Sequence, residues 1–408
     1  MNVRRSAAAL AAAAVIGVAA TPVAQAADSS PSASPAIPAG LYGAGDPTYD
    51  GVWRQSLALL AQDAVGVRPA PKAVDWLVGQ QCANGAFASF RADAAKACDA
   101  KTMLDTNATS AAVQALAALG GRDAAAGKAV AWLKSVQNED GGWGYGAGSP
   151  SDANSTSVVV GALAAVGEKP AEVTKKGESP LDALLGLAIA CDEDGGGAFA
   201  YQPDKKGELA ANADATAAAV LGSLGEGLAA PAGAKAGVPK CAAARTTEQA
   251  AANGAAYLAD AVAESGHLTS ALPGAEDQPD YGNTADAVVA LAAQGGAEQA
   301  EKPLKWLEQN SAAWAKQSGP AAYAQLIFAA RAAKADPRDF GGHDLVALLN
   351  ATGPAPVAAE SAAGDDERTA DEDGNDDGTG VWWIVGSLFV AGVGGGILIS
   401  GRRKGRTA

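Results

Sequence analysis

Four polar clusters recur along the chain, each placed ahead of an apolar run. They are Asp105-Thr106-Asn107-Ala108-Thr109, Asp152-Ala153-Asn154-Ser155-Thr156, Asn212-Ala213-Asp214-Ala215-Thr216 and Asp280-Tyr281-Gly282-Asn283-Thr284. Carboxylates can serve as general acids, but strong proton donation needs a clustered pair that keeps one member neutral. No cluster holds two adjacent acids, and the residue ahead of each threonine is Ala108, Ser155, Ala215 or Asn283. A lone carboxylate at a helix start is instead stabilised as the anion by free N–H groups. The clusters therefore read first as helix caps, each contributing about 1 kcal/mol. Taken together they read as the rim of a ligand cavity.

Metal chemistry finds little material. Zinc sites draw on cysteine, histidine and carboxylate sets, and the only histidines are His267 and His343, neither with a cysteine nearby in sequence. Asp373-Gly374-Asn375-Asp376-Asp377-Gly378 opens like a calcium-binding loop, yet the twelfth position is Ile384 rather than a bidentate glutamate. No metal site and no cofactor are expected. Four cysteines in an exported chain imply two disulfides among three possible connectivities. Cys82 and Cys98 flank one loop, which leaves Cys191 with Cys241 by elimination.

The elements that position these groups repeat. Ala129-Val130-Ala131-Trp132-Leu133 followed by Gln137-Asn138-Glu139-Asp140-Gly141-Gly142-Trp143 has a counterpart in Ala73 to Leu77 and Gln81 to Phe87. Cys191-Asp192-Glu193-Asp194-Gly195, leading to Phe199, is a third copy, and Tyr257-Leu258 and Trp306-Leu307 begin two more. The spacing of about 50 residues marks a repeat architecture. After each polar cluster, apolar residues follow at three- and four-residue steps, as in Val113, Leu116 and Leu119, which is an amphipathic helix behind its cap. Each repeat is thus a first-type helix, a Gly-rich turn, a loop and a capped second-type helix. Residues 49–64 supply an extra second-type helix and residues 342–350 an extra first-type helix. If these two pack together, six pairs close into a ring, and closure removes the exposed ends of an open solenoid.

Gln137, Gly141 and Trp143, with Gln81, Gly85 and Phe87, resemble the Gln-Trp motif of squalene and terpenoid cyclases and protein prenyltransferase β-subunits. The resemblance covers residues 46–350 and implies an all-α fold, the α/α toroid, with second-type helices inside around a central cavity. It also implies candidate ligand classes, an isoprenoid or, through the vitamin B12 carriers that share the ring, a corrinoid delivered to a membrane transporter. The cyclase Asp-Xaa-Asp-Asp-Thr sequence is not matched, and the prenyltransferase zinc set is missing. The candidate cavity mouth comprises Asp105, Asn107, Asp152, Asn154, Asn212, Asp214, Asp280 and Tyr281, with Trp143, Tyr145, Phe199 and Tyr201.

The two ends place the body. Arg4 and Arg5, an Ala-rich apolar stretch and Ala24-Gln25-Ala26 read as a signal peptide over residues 1–26. A flexible segment is expected over 27–45, the ring over 46–351 and an acidic disordered spacer over 352–380. Residues 381–399 are apolar and uncharged, long enough for one transmembrane helix, and the basic tail over 400–408 puts that side in the cytoplasm. A net charge of −15 argues against nucleic acid as partner. The expected protein is a single-pass surface protein whose extracellular ring binds a small molecule or peptide without catalysis. The alternatives are an isoprenoid- or lipid-directed enzyme with a divergent site built on Asp152, Asp214 or Asp280, and a structural module of the cell envelope.

Overall fold

A computed structural model describes residues 36–234, 238–271 and 277–358. The expected signal peptide, most of the spacer and the transmembrane segment lie outside the described residues, and among those described no helix is long and apolar enough to cross a membrane. The protein is all-α, with thirteen α-helices among the described residues and a single two-residue β-ribbon, Leu268–Thr269 against Pro279–Asp280.

Six helices form the inner layer: α1 (Gly51–Ala64), α3 (Thr106–Leu119), α5 (Ala153–Ala165), α7 (Ala213–Leu224), α9 (Tyr281–Gln294) and α12 (Pro320–Ala332). Each packs on the next in this order, and α12 packs back on α1, so the contacts make a closed circuit. Outside them lie α2 (Pro71–Gly79), α4 (Asp123–Ser135), α6 (Pro180–Leu185), α8 (Thr247–Ala263), α10 (Ala297–Asn310) and α13 (Leu345–Asn350), each against an inner helix. The inner helices are rich in alanine and small apolar residues, which lets six of them approach closely. Ala111, Val159, Ala219 and Ala290 have no exposed surface. One element was not anticipated: α11 (Ala312–Ser318) runs from α10 to α12 in place of a Gly-rich turn and loop.

The two extra helices meet through polar side chains. Gln62 of α1 donates from Nε2 to Asn350 Oδ1 of α13 at 2.7 Å, and the Tyr42 hydroxyl lies 3.1 Å from both Gln62 Oε1 and the Pro354 carbonyl. Gly43 N–H donates to the Thr352 carbonyl at 2.9 Å and Val357 N–H to the Arg68 carbonyl at 3.0 Å. The folded body therefore extends beyond the expected 46–351 at both ends. Tyr42, assigned from sequence to a flexible segment, is fully buried, because Gln55 on α1 accepts its N–H and Arg54 donates to its carbonyl.

The disulfides are Cys82–Cys98 and Cys191–Cys241. The first closes 16 residues between α2 and α3, for which loop-closure entropy contributes about 3 kcal/mol. Cys98→Ala is expected to lower the urea-unfolding free energy by about that amount. An unchanged midpoint would mean the loop is held by its other contacts, among them the Arg91 bonds to the Gln80 and Gln81 carbonyls.

Candidate functional site

The polar clusters begin four of the inner helices, and the structure shows why their spacing recurs. Asp105, Asp152, Asn212 and Asp280 accept a hydrogen bond from the backbone N–H three residues on, at 2.9, 2.6, 2.9 and 3.0 Å. The threonine one further residue on then fixes the preceding loop. Thr109, Thr156, Thr216 and Thr284 accept at Oγ1 from the N–H of Phe87, Trp143, Phe199 and Leu268, at 2.9 to 3.0 Å. Cap and threonine are two halves of one clamp.

Three of these loops also lace neighbouring inner helices together. The carbonyls of Phe87, Trp143 and Phe199 accept from Asp105, Asp152 and Asn212 at the start of the following helix. Two residues later, the carbonyls of Ser89, Tyr145 and Tyr201 accept from Val52, Thr106 and Ala153 in the first turn of the preceding one. N–H groups that a helix start leaves without partners are thereby consumed by the loops rather than offered to a ligand. Gln81 and Gln137 tie each turn outward. Their Nε2 atoms donate to the Gly85 and Gly141 carbonyls and to Ala125 and Val173 of the next repeat.

Not all of the twelve expected rim residues lie on the rim. Trp143 and Phe199 are buried to 1% and 0% exposure, and Trp143 Nε1 donates to the Leu133 carbonyl at 2.8 Å. They staple inner to outer helices, as apolar rings at such a junction must. Tyr145 and Tyr201 are about half exposed. Tyr145 meets Ser89 Oγ, which donates to Asp105 Oδ2 at 2.9 Å, and Tyr201 hydrogen-bonds Asp152. Asn212 is spent on its cap, whereas Asn107, Asn154, Asp214 and Tyr281 keep partly open surface in the first turn of their helices.

From the side of the helix N-termini, exposure stops after the first two turns, since α3, α5, α7, α9 and α12 are buried through their middle turns. At the opposite end, residues 225–233 cross the helix C-termini. There Gln114 accepts the Leu228 N–H at 2.9 Å and donates to the Val158 carbonyl at 3.1 Å, and Gly233 N–H donates to Ala292. The helix N-termini thus form one partly open face of the circuit, the mouth.

Within that mouth Asn154 donates from Nδ2 to Asp214 Oδ2 at 2.9 Å, and Gln325 of α12 donates to both oxygens of Asp286 on α9, at 3.3 and 3.1 Å. Asp286 keeps a minor part of its surface open to solvent, but protein atoms crowd its carboxyl, and that crowding governs its ionisation. Burial first, then the charges of Asp214 and Asp280, push its carboxyl up to about 7, against the Gln325 amide. Asp214 is raised by burial and by Asp280 and Asp152, and Asp152 is raised by burial against its Ser155 and Tyr201 hydrogen bonds. No basic side chain acts on Asp214 or Asp286. The buried side-chain oxygens of Asn107 and Asn154 have no hydrogen-bond partner.

A ladder of rings flanks the acids. His267 stacks on Trp306 at 4.3 Å, Trp306 on Tyr281 at 5.0 Å, and Tyr281 on Trp314 at 5.5 Å. Gly282 lies between Trp314 and Gln325. Asp286, Gln325, Trp314 and His267 were not singled out from the sequence as site residues. A signal existed for the first: Asp286 is the one acid inside the α9 run Ala285 to Ala293. His267 is thus a half-buried stacking ring, and among the described residues no group of three potential ligands could hold a metal ion.

No family model matches the chain, and no curated protein matches it in sequence. Solved structures that it resembles include a sugar epimerase from a ruminal bacterium, 13% identical with a TM-score of 0.45, covering 66% of this chain and 80% of that one. Another is a protein from Actinoplanes, 17% identical with a TM-score of 0.32, covering 68% of this chain and 99% of that one. At these scores neither likeness carries an argument.

Proposed function

We propose that the body is an α/α toroid of the prenyltransferase and squalene cyclase repeat type, and that it binds a small polar ligand at its mouth without transforming it. The protein is exported and held at the cell surface by one transmembrane helix over residues 381–399, and the ligand passes to a membrane transporter. The observation that carries this reading is the convergence of Asp214 and Asp286, with Asn154 and Gln325, on one mouth of a closed circuit of helices. Support for a polar ligand comes from the Asn107, Asn154 and Asp214 side chains, which keep partly open surface in the first turns of their helices. Of the two ligand classes, an amide-fringed corrinoid offers many hydrogen-bonding groups to such a mouth and a prenyl alcohol offers one. The disulfides agree with an extracellular setting.

The test is native mass spectrometry of the full chain after gentle purification, followed by thermal melting with cyanocobalamin and with farnesol. A bound mass, or a cyanocobalamin-dependent rise in Tm that Asp214→Asn abolishes, is expected. Absence of both a bound mass and any shift would sink the reading. A second reading, an enzyme acting on an isoprenoid or other lipid, is favoured by one feature: a carboxyl poised near neutrality is what a general acid requires. Turnover of an isoprenoid that disappears in Asp286→Asn would establish that reading instead.

A further inference from the structure

The sixth inner helix departs from the clamp that four of the others share, and a second cavity lies beside it. In α3, α5, α7 and α9 the fourth helical residue is the threonine whose hydroxyl the preceding loop consumes. In α12 that position is Tyr323, and α11 enters through Gly319 with no aromatic-bearing loop to meet it. A cavity of about 290 Å³ opens there, among α10, α11, α12 and α13.

Two hydroxyl side chains, Tyr323 and Ser311, line this cavity without a hydrogen-bond partner among the described residues. Tyr323 is 6% exposed, burial alone raises its pKa, and its hydroxyl makes no hydrogen bond. Ser311 is 2% exposed and does not cap α11. Neither hydroxyl oxygen is sealed from solvent, so both open onto the cavity. A tyrosine with so buried a ring and an open hydroxyl has a hydrogen bond to offer to a molecule in the cavity. Ala315, Phe340, Leu345 and Leu348 supply an apolar wall, and Lys316, Glu308 and the His343 ring complete the lining.

We propose that this cavity is a binding site, distinct from the mouth, for a compact uncharged molecule with an apolar body and a single hydroxyl or carbonyl oxygen. The oxygen sits between Tyr323 and Ser311, each able to donate or accept. The apolar body lies on Phe340 and Leu345. The volume stands at the low end of the range of about 300–1,000 Å³ common for small-molecule sites. Lys316 and Glu308 offset one another, and the His343 ring is the remaining polar group of the lining, able to donate to or accept from the same oxygen.

Hydrogen–deuterium exchange of the full chain with 1-naphthol as probe localises the binding. Saturable slowing of exchange in peptides covering 311–318 and 340–350 is expected. Naphthalene, the same body without the oxygen, and the Tyr323→Phe variant, which removes one atom and little volume, should each weaken it about tenfold. Leu348→Trp, at the exposed edge of the wall, should abolish it while leaving exchange in α3 and α5 unchanged. The proposal is overturned by no protection at saturating naphthol, by equal affinity for naphthalene, by an unaffected Tyr323→Phe variant, or by tighter binding of the charged 1-naphthoate.

Discussion

Gly141→Ala is expected to destabilise the protein by more than about 4 kcal/mol, whereas Gly148→Ala should cost only about 1 kcal/mol. Both glycines have left-handed backbones, with φ of 83° and 78°, so an added methyl group meets the same local strain at each, about 1–2 kcal/mol. They differ in what lies beyond. Around Gly148 nothing stands within 4 Å, while a Cβ on Gly141 would collide with the backbone of Ser179, including its carbonyl oxygen. Ser179 is the N-cap of α6, locked there by a reciprocal bond with Asp182, and backbone so held does not yield as a flexible side chain does. Gly141 also presents its carbonyl to Gln137, which reaches on to Val173. Relieving the collision therefore pulls one repeat away from the next. Urea unfolding of the two variants side by side is the measurement. A Gly141→Ala midpoint within error of the Gly148→Ala midpoint would show that the turn does not bear on the neighbouring repeat.

That contrast also indicates what a linear sequence can and cannot disclose. The Gln-to-aromatic turn and the capped helix were legible because each is local: cap, threonine and apolar stripe lie within one helix, and the whole unit recurs. The helix order and the meeting of the first and last helices followed from counting the copies. The bonds that lace loops to neighbouring helices were not legible, since they use backbone carbonyls, which carry no residue identity. The fate of Trp143 and Phe199 was ambiguous for a related reason, as an aromatic ring after a turn suits a rim and a staple equally well. The ladder of His267, Trp306, Tyr281 and Trp314 draws on three separate elements and the link that follows α10, and only folding brings them into register. The helix α11 replaced a turn where the repeat signal was already weak, so neither it nor the cavity beside it could be read ahead of the structure.

Asp286 gives the other large effect, and its sign follows from linkage. Its carboxyl is raised from 3.8 to about 7 on folding, so between those limits the folded state holds a proton that the unfolded state has released. Stability contributed by this group is full below about pH 4, falls as pH rises, and is lost above about pH 7, a swing of about 4 kcal/mol. The groups that face it are Asp214 from α7, Asp280 ahead of α9 and Gln325 from α12; the two acids oppose its ionisation and the amide favours it. Asp286→Asn keeps the shape, removes the titration and leaves Gln325 an acceptor to bond. The variant should match the parent near pH 4 and exceed it by up to about 4 kcal/mol at pH 8. Asp214 and Asp152 are displaced in the same direction, so a weaker slope of the same sign persists in the variant. Urea midpoints at pH 4.5, 6 and 8 decide the matter, and parallel curves for parent and variant would show that Asp286 is ionised without cost, hence open to water rather than enclosed. If the curves diverge as expected, the parent protein retains, at neutral pH, a destabilising carboxylate that a single substitution removes. A group kept at that cost, with no basic side chain acting on it, is consistent with the binding role proposed for the mouth.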